Sequence, residues 1–175
     1  KIQSLEVHGD GDKSLTIFNQ PRDVKGTAFL SFSHPIEADD QWLYLPALKR
    51  VKRIASRNKS GPFMGSEFAF EDLSSFEVEK FTYKYMGEET IHGLSSHKIE
   101  QYPVDENSGY TKRVVWLDKA ELRVQRIDFF DRKDSLLKTL TFEGYKLYLG
   151  KHWRPARQLM VNHQNGKSTE LTWSN

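Results

Sequence analysis

Six histidines, several pairs of adjacent acids and one Asp-Gly loop are the residues whose types and spacing suit chemistry. The histidines are His8, His34, His92, His97, His152 and His163, and none falls in an H-E-x-x-H or other zinc-like spacing. His92 and His97 flank "GLSS", a turn that would bring them near each other, but the spacing favours ordinary turn or surface imidazoles. "HGDGDKS" (8–14) alternates Asp and Gly as calcium loops do. It lacks the regular oxygen ligands and the closing Glu, and reads better as a turn between strand ends. The acid pairs Asp39-Asp40, Glu71-Asp72 and Glu88-Glu89 are adjacent in sequence. Neighbours on a strand point to opposite faces, so such pairs make poor acid/base dyads. There is no G-x-S-x-G elbow, phosphate-binding glycine loop or dinucleotide fingerprint. No catalytic residue, metal or cofactor is assigned, and an enzyme is the least supported class.

The chain has 175 residues and no cysteine, which removes disulfides, thiolate catalysis and Cys-based zinc sites together. Its length suits a single domain, residues 1–175, with a real core. Apolar residues make up 37% and charged residues 29%, a balance that excludes gross disorder. Aromatic residues reach 13%, which leans toward strands or an aromatic-lined site. The net charge of +2 gives no long-range field favouring a polyanion, so nucleic acid is not an expected partner. No apolar run approaches the roughly 20 residues of a membrane span. The numbering opens at Lys1 without signal peptide or initiator Met, as expected of a mature or trimmed form.

One stretch stands out, "KRVKRIASRNKSGPFMGSEFAFEDL" (49–73). It begins with Lys49, Arg50, Lys52, Arg53, Arg57 and Lys59 without an acid, turns small and apolar, and ends acidic. A nucleic-acid groove would need unopposed cations interleaved with aromatics. Here Phe63, Phe68 and Phe70 fall in the acidic half. Two readings stay open. One is a solvated hairpin whose charges partly neutralise each other. The other is a mobile lid over 57–70, hinged at Gly61 and Gly65, with Phe63 and Met64 as an adaptable apolar tip over a cavity.

The elements that must position these residues are strands. "KGTAFLSF" (25–32), "QWLYLP" (41–46), "KFTYKYMG" (80–87), "SSHKIEQYPV" (95–104) and "YTKRVVWL" (110–117) are rich in β-branched and aromatic residues. So are "LRVQRIDFFD" (122–131), "LLKTLTFEGYKLYLG" (136–150), "ARQLMVNHQ" (156–164) and "STELTWS" (168–174). Phe81, Tyr83 and Tyr85 share one face by alternation, as do Ile127 and Phe129, and these faces are expected to be buried together with Leu30 and Phe32. Connections such as Asn165-Gly166 are too short for parallel crossovers, so the sheet is predicted to be an antiparallel meander curling toward a barrel. Helix is predicted only as a turn or two within 66–79, where Ser74 and Glu77 have capping-box spacing.

"DDQWLYLPALKRVKRI" followed by "FMGSEFAFEDL" closely resembles the outer-membrane lipoprotein-sorting protein family of the LolA/LolB-like superfamily. The likeness continues through "KGTAFLSF", "YTKRVVWLDKAELRVQRIDFFDR" and "LLKTL" to "RPARQLMVNHQNGKSTELTW". The resemblance implies a mainly β fold, a strongly curved antiparallel sheet or unclosed β-barrel, with short helices and loops capping an acyl-chain cavity. It also implies a Gram-negative periplasmic protein, with relatives paired to RND-type membrane exporters. The family pattern places further elements ahead of the region matching Lys1, so that N-terminal part is expected to be missing from this numbering. Candidate cavity residues on the early strands and loop are Leu30, Phe32, Leu43, Leu45, Phe63 and Met64. Those on later strands are Phe81, Tyr83, Tyr85, Ile127 and Phe129. Arg50, Lys52, Arg53 and Arg57 are expected at the cavity mouth or on a partner-facing surface, where they would meet lipid phosphate in transient membrane contact or the acidic face of a partner. The function expected is a periplasmic carrier of lipid or lipoprotein acyl chains. A non-catalytic adaptor for an exporter or envelope protein is the alternative.

Overall fold

The structure is a computed structural model describing residues 1–173; Ser174, the end of the last predicted strand, lies outside the described residues. The chain divides into two compact units. The first comprises Lys1–Phe81 with Val104–Ser108, and the second Thr82–Pro103 with the chain from Gly109 onward. Helix among the described residues is confined to 3-10 turns at Pro46–Leu48, Ser56–Asn58, Phe70–Leu73 and Val78–Lys80. No helix among them is long and apolar enough to cross a membrane.

In the first unit, β1 (Ile2–Leu5), β2 (Lys13–Ile17), β3 (Ala28–Phe32), β4 (Asp40–Leu45) and β5 (Arg50–Ile54) form a five-stranded sheet in chain order, each antiparallel to the next. β1, β2 and β5 carry a weak alternation of polar and apolar residues, so local pattern alone does not mark them as strands. Register fixes which face is which, because directly opposed residues share a face. Phe29 opposes Leu43, and Ser31 opposes Gln41, which in turn opposes Ile54. All five are buried. Segment 55–73 covers this face, with Phe63, Phe68 and Ala69 buried in it. Each large apolar side chain withdrawn from water contributes about 1.5–3 kcal/mol.

The second unit is a seven-stranded sheet ordered β14-β13-β10-β9-β8-β7-β6. Its members are β6 (Phe81–Ile91), β7 (Leu94–Pro103), β8 (Lys112–Asp118), β9 (Val124–Phe130), β10 (Leu136–Glu143), β13 (Arg157–Asn162) and β14 (Ser168–Thr172). A separate hairpin of β11 (Lys146–Tyr148) and β12 (His152–Arg154) interrupts the meander. The single predicted strand 136–150 is thus two strands, broken at Gly144, whose φ of +64° favours glycine. The turn between β6 and β7 is His92-Gly93, with φ of +52° and +77°, and not "GLSS". Two consecutive left-handed residues match the right-handed twist of flanking strands, and Leu94 onward is already strand. The fold is a mainly β, antiparallel one, and neither large sheet closes into a barrel.

Candidate functional site

The covered face of the five-stranded sheet holds an aromatic cluster built from its own segment 55–73. The Phe63 ring lies 5.2 Å from Phe18, 5.5 Å from Phe29 and 5.3 Å from Phe70. Backbone bonds staple the segment: Phe63 N–H donates to Phe68 O at 2.7 Å, Phe70 N–H to Gly61 O at 3.2 Å and Glu71 N–H to Lys59 O at 2.9 Å. Ser66 N–H closes a tight turn onto Phe63 O at 2.8 Å, around Met64 and Gly65, whose φ are +49° and +73°. The expected exposed tip therefore splits. Met64 sits on the turn, 37% exposed, whereas Phe63 is 5% exposed and plugs the sheet. Gly65 serves the turn's left-handed geometry, a requirement that reads in sequence like a hinge. The predicted Ser74–Glu77 capping box is also absent: Asp72 accepts from Ala69 N–H at 2.7 Å, Ser74 from Gln41 Nε2 at 2.6 Å, and Glu77 from Asp12 N–H at 3.1 Å.

The other predicted residues scatter. Leu43 is buried on the covered face and Leu45 half-buried. Leu30 and Phe32 lie on the opposite face, where Phe32 meets Trp42 edge-on at 5.2 Å and Lys13 Nζ stands 4.6 Å from its ring. They do not join the interior expected of them, because the register buries the alternate set, Thr27, Phe29, Ser31 and Ser33. Phe81 stacks on Phe76 at 5.7 Å. Tyr83 and Tyr85 are 43% and 58% exposed, contrary to the buried face expected for 81, 83 and 85. β6 is the terminal strand of its sheet, so its side chains have a strand neighbour on one flank only. Arg50, Lys52 and Arg57 are exposed. Arg53 pairs with Asp40 while 69% of its side chain stays in solvent.

The seven-stranded sheet assembles what the sequence does not place side by side. Ile99, Val115, Ile127, Leu140 and Met160 oppose one another in register across β7, β8, β9, β10 and β13. The next row on the same face is Gln101, Arg113, Phe129, Lys138 and Asn162. Tyr110 packs on Phe129 at 4.9 Å, and buried Lys138 stands 5.2 Å from Tyr110 and 5.3 Å from Phe129. Sequence reasoning missed Lys138. Its signal was a lysine at the apolar phase of "LLKTLTF". On the reverse face Trp116 lies between Lys98 and Arg126, at 5.2 and 5.0 Å, and donates to Glu89 at 3.2 Å. Arg126 binds Asp128 through two 2.8 Å bonds, and Asp128 also accepts from Thr139 at 2.7 Å. One side of this sheet thus carries the apolar row next to a mixed row with buried Lys138, and the other combines the charge pairs with a small apolar cluster of Ile91, Val114, Trp116 and Phe130.

No group of three or more metal-ligating side chains occurs among the described residues. Asp10, in the loop that resembled a calcium site, instead accepts from Gly11 N–H at 2.8 Å and meets His34 Nδ1 at 2.9 Å. Gly11 is required there: a Cβ would lie 2.4 Å from Ser33 O. His34 also faces Asp40, itself bound to Arg53, at 3.6 Å, and its backbone N–H donates to Asp39. The hydrogen bond that His34 donates to the Asp10 carboxylate raises His34 above the usual 6.5. A raised folded value stabilises fully below 6.5 and the benefit is lost as pH rises through the raised value. Asp10, lowered chiefly by His34, and Asp40, lowered chiefly by Arg53, act in a separate acidic window, where their benefit is lost below 3.8. The melting temperature of the wild type is expected to fall, relative to His34→Gln, as pH rises through the histidine window. Parallel profiles would show the clasp to be inert.

A family model described as "-like: Uncharacterized protein" matches residues 10–175. The chain is 66% identical to an outer membrane lipoprotein-sorting protein domain from Vibrio parahaemolyticus, over 99% of this chain and 74% of that one, with a TM-score of 0.95. It is 33% identical to a DUF1329 family protein from Desulfovibrio piger, over 95% of this chain and 70% of that one, at TM-score 0.88. A LolA superfamily protein from Nitrosomonas europaea shares the fold at TM-score 0.71 and 19% identity, over 99% of this chain and 81% of that one. Comparison with curated proteins gives no match.

Proposed function

Because the chain belongs to the outer membrane lipoprotein-sorting protein family, we propose that it is a lipid or lipoprotein carrier of the bacterial envelope. It binds acyl chains without catalysis, in the periplasm, and hands them between envelope membranes or to an RND-type exporter. Residues 1–175 act here as one LolA-like β domain. The observation that carries the reading is the in-register apolar row Ile99–Val115–Ile127–Leu140–Met160 on an unclosed antiparallel sheet. Such a row is an apolar strip about the width of a hydrocarbon chain; Val115, Leu140 and Met160 in it are buried, so a chain would reach it by displacing what covers them. Ile127 and Phe129 belong to that wall. Leu43 and Leu45 offer a second apolar surface on the covered face of the five-stranded sheet, which a chain would reach by taking the place of the Phe63 ring.

Burial contributes about 0.8 kcal/mol per methylene, so affinity should rise about fourfold for each CH₂ added. The test is titration with fatty acids of increasing length, alongside native mass spectrometry of protein purified from bacteria. Co-purified lipid and a steep length dependence are expected. Lipid-free protein with an affinity indifferent to chain length would overturn the carrier and leave the adaptor reading.

A further inference from the structure

We infer that the β4–β5 hairpin with the turn after it, residues 44–57, is a docking surface for the anionic headgroups of a phospholipid membrane. The inference rests on the carrier reading, and names the surface through which such a carrier would meet a donor or acceptor bilayer. Pro46–Leu48 forms a 3-10 turn that Lys49 closes, donating its N–H to Pro46 O at 3.1 Å with φ of +47°. That turn holds Leu48 out at 64% exposure, and Val51 follows at 65% and Tyr44 at 37%. Lys49, Arg50, Lys52 and Arg57 belong to the same hairpin and turn, all exposed, with Arg50 and Lys52 on the side of the strand opposite Tyr44 and Val51, and none of their side chains makes an ion pair among the described residues. Of the remaining cations here, Arg53 is bound to Asp40 and Lys59 to Asp105. No acid lies between Asp40 and Glu67 to neutralise the surface from within its own segment.

The pattern of charge and grease selects the occupant. The core of a protein interface sheds lysine and gathers contiguous apolar area. Here cations alternate with single aliphatic side chains along β5, so no charge-free core exists. A bilayer met by the β5 edge accommodates that alternation: Arg50 and Lys52 on one side of the strand reach the headgroup phosphates, while Leu48 at the turn and Val51 and Tyr44 on the other side settle at the acyl boundary. The same cations on the edge strand discourage pairing with another chain's strand.

The test is co-sedimentation with vesicles of phosphatidylcholine alone or with added phosphatidylglycerol, at low and high salt. Wild type is expected to bind the phosphatidylglycerol vesicles only, and to release with salt. Arg50→Gln with Lys52→Gln should lower partitioning about 25-fold, a factor of about five for each charge lost. Leu48→Ser should weaken it further, and both variants should melt like the wild type. Equal binding to the two vesicles, or an unaffected double variant, overturns the proposal. So does retention on an acidic peptide resin without vesicle binding, which assigns the surface to an acidic protein. Fatty-acid titration of the same samples separates the two readings. Uptake without docking removes only the docking surface. Docking without uptake removes only the carrier.

Discussion

Phe63→Ala is expected to lower the unfolding free energy by about 3–5 kcal/mol, the cost of emptying a buried phenylalanine site. Phe63 is 5% exposed and its ring touches Phe18, Phe29 and Phe70. Phe29 belongs to β3, Phe18 is held by backbone bonds to Thr27 and Gly26, and Phe70 opens a 3-10 turn bonded to Gly61, so these neighbours have little freedom to close the cavity. Met64→Ser, one residue on, removes a side chain from the exposed turn and should change stability by no more than about 0.5 kcal/mol. Urea denaturation of the two variants, with the slope checked for two-state behaviour, measures the contrast. A Phe63→Ala protein that unfolds with the wild type would mean that segment 61–70 leaves the sheet readily and is a lid. Equal losses in both variants would mean that Met64 is also part of the packing.

Asp118→Ala is the second substitution with a large expected effect, about 3–5 kcal/mol, because it removes a buried carboxylate and leaves its donors, the half-buried Arg123 guanidinium among them, without a partner. The Asp118 carboxylate is buried and accepts from Glu121 N–H at 2.8 Å, Arg123 N–H at 3.2 Å, Arg123 Nε at 2.8 Å and Gln125 Nε2 at 3.0 Å. One carboxylate thus pins the turn between β8 and β9. It also holds the Arg123 guanidinium 4.7 Å from the Trp153 ring and 5.5 Å from the Tyr145 ring, which anchors the β11–β12 hairpin. Tyr145 adds a 2.5 Å bond to Val124 O, and burial pushes its phenol well above the usual range. Burial alone would raise Asp118, yet the Arg123, Glu121 and Gln125 donors outweigh it and hold the carboxyl below the usual 3.8. The stability it supplies is therefore complete above 3.8 and lost as pH falls through the lowered folded value. The wild type should lose stability at acidic pH more steeply than Asp118→Ala, and the two curves should converge there. Constant separation down to the most acidic pH would show that the carboxylate's charge is irrelevant.

β3, β4 and the strands of the seven-stranded sheet were legible in the sequence because alternation and β-branched or aromatic content survive in "KGTAFLSF", "QWLYLP", "KFTYKYMG", "YTKRVVWL" and "STELTWS" whatever packs against them, whereas the β11–β12 hairpin was not. Their antiparallel order was legible too, because connections as short as Asn165-Gly166 cannot span a parallel crossover. Absence of cysteine, of nucleotide loops and of zinc spacings was likewise a property of the chain alone. Alternation, however, says only that two faces differ; register and cover decide which is buried. "AFLSF" put Leu30 and Phe32 on the more apolar-looking face, yet the small set Thr27, Ser31 and Ser33 with Phe29 is the buried one, because segment 55–73 packs there. Tyr83 and Tyr85 are at the end of a sheet, a position no local pattern encodes. "GPFMG" looked like a hinged tip, since glycine serves tight turns and hinges alike. Only the three aromatic neighbours of Phe63, brought from residues 18, 29 and 70, turn it into a plug. The cationic run 49–59 was plain in the sequence. That Arg53 and Lys59 are bound, while Lys49, Arg50, Lys52 and Arg57 make no ion pair among the described residues, depends on Asp40 and Asp105 arriving from other parts of the chain. Composition and period are local quantities and act residue by residue. Burial and pairing belong to contacts between distant segments, and so they are decided only when the chain has folded.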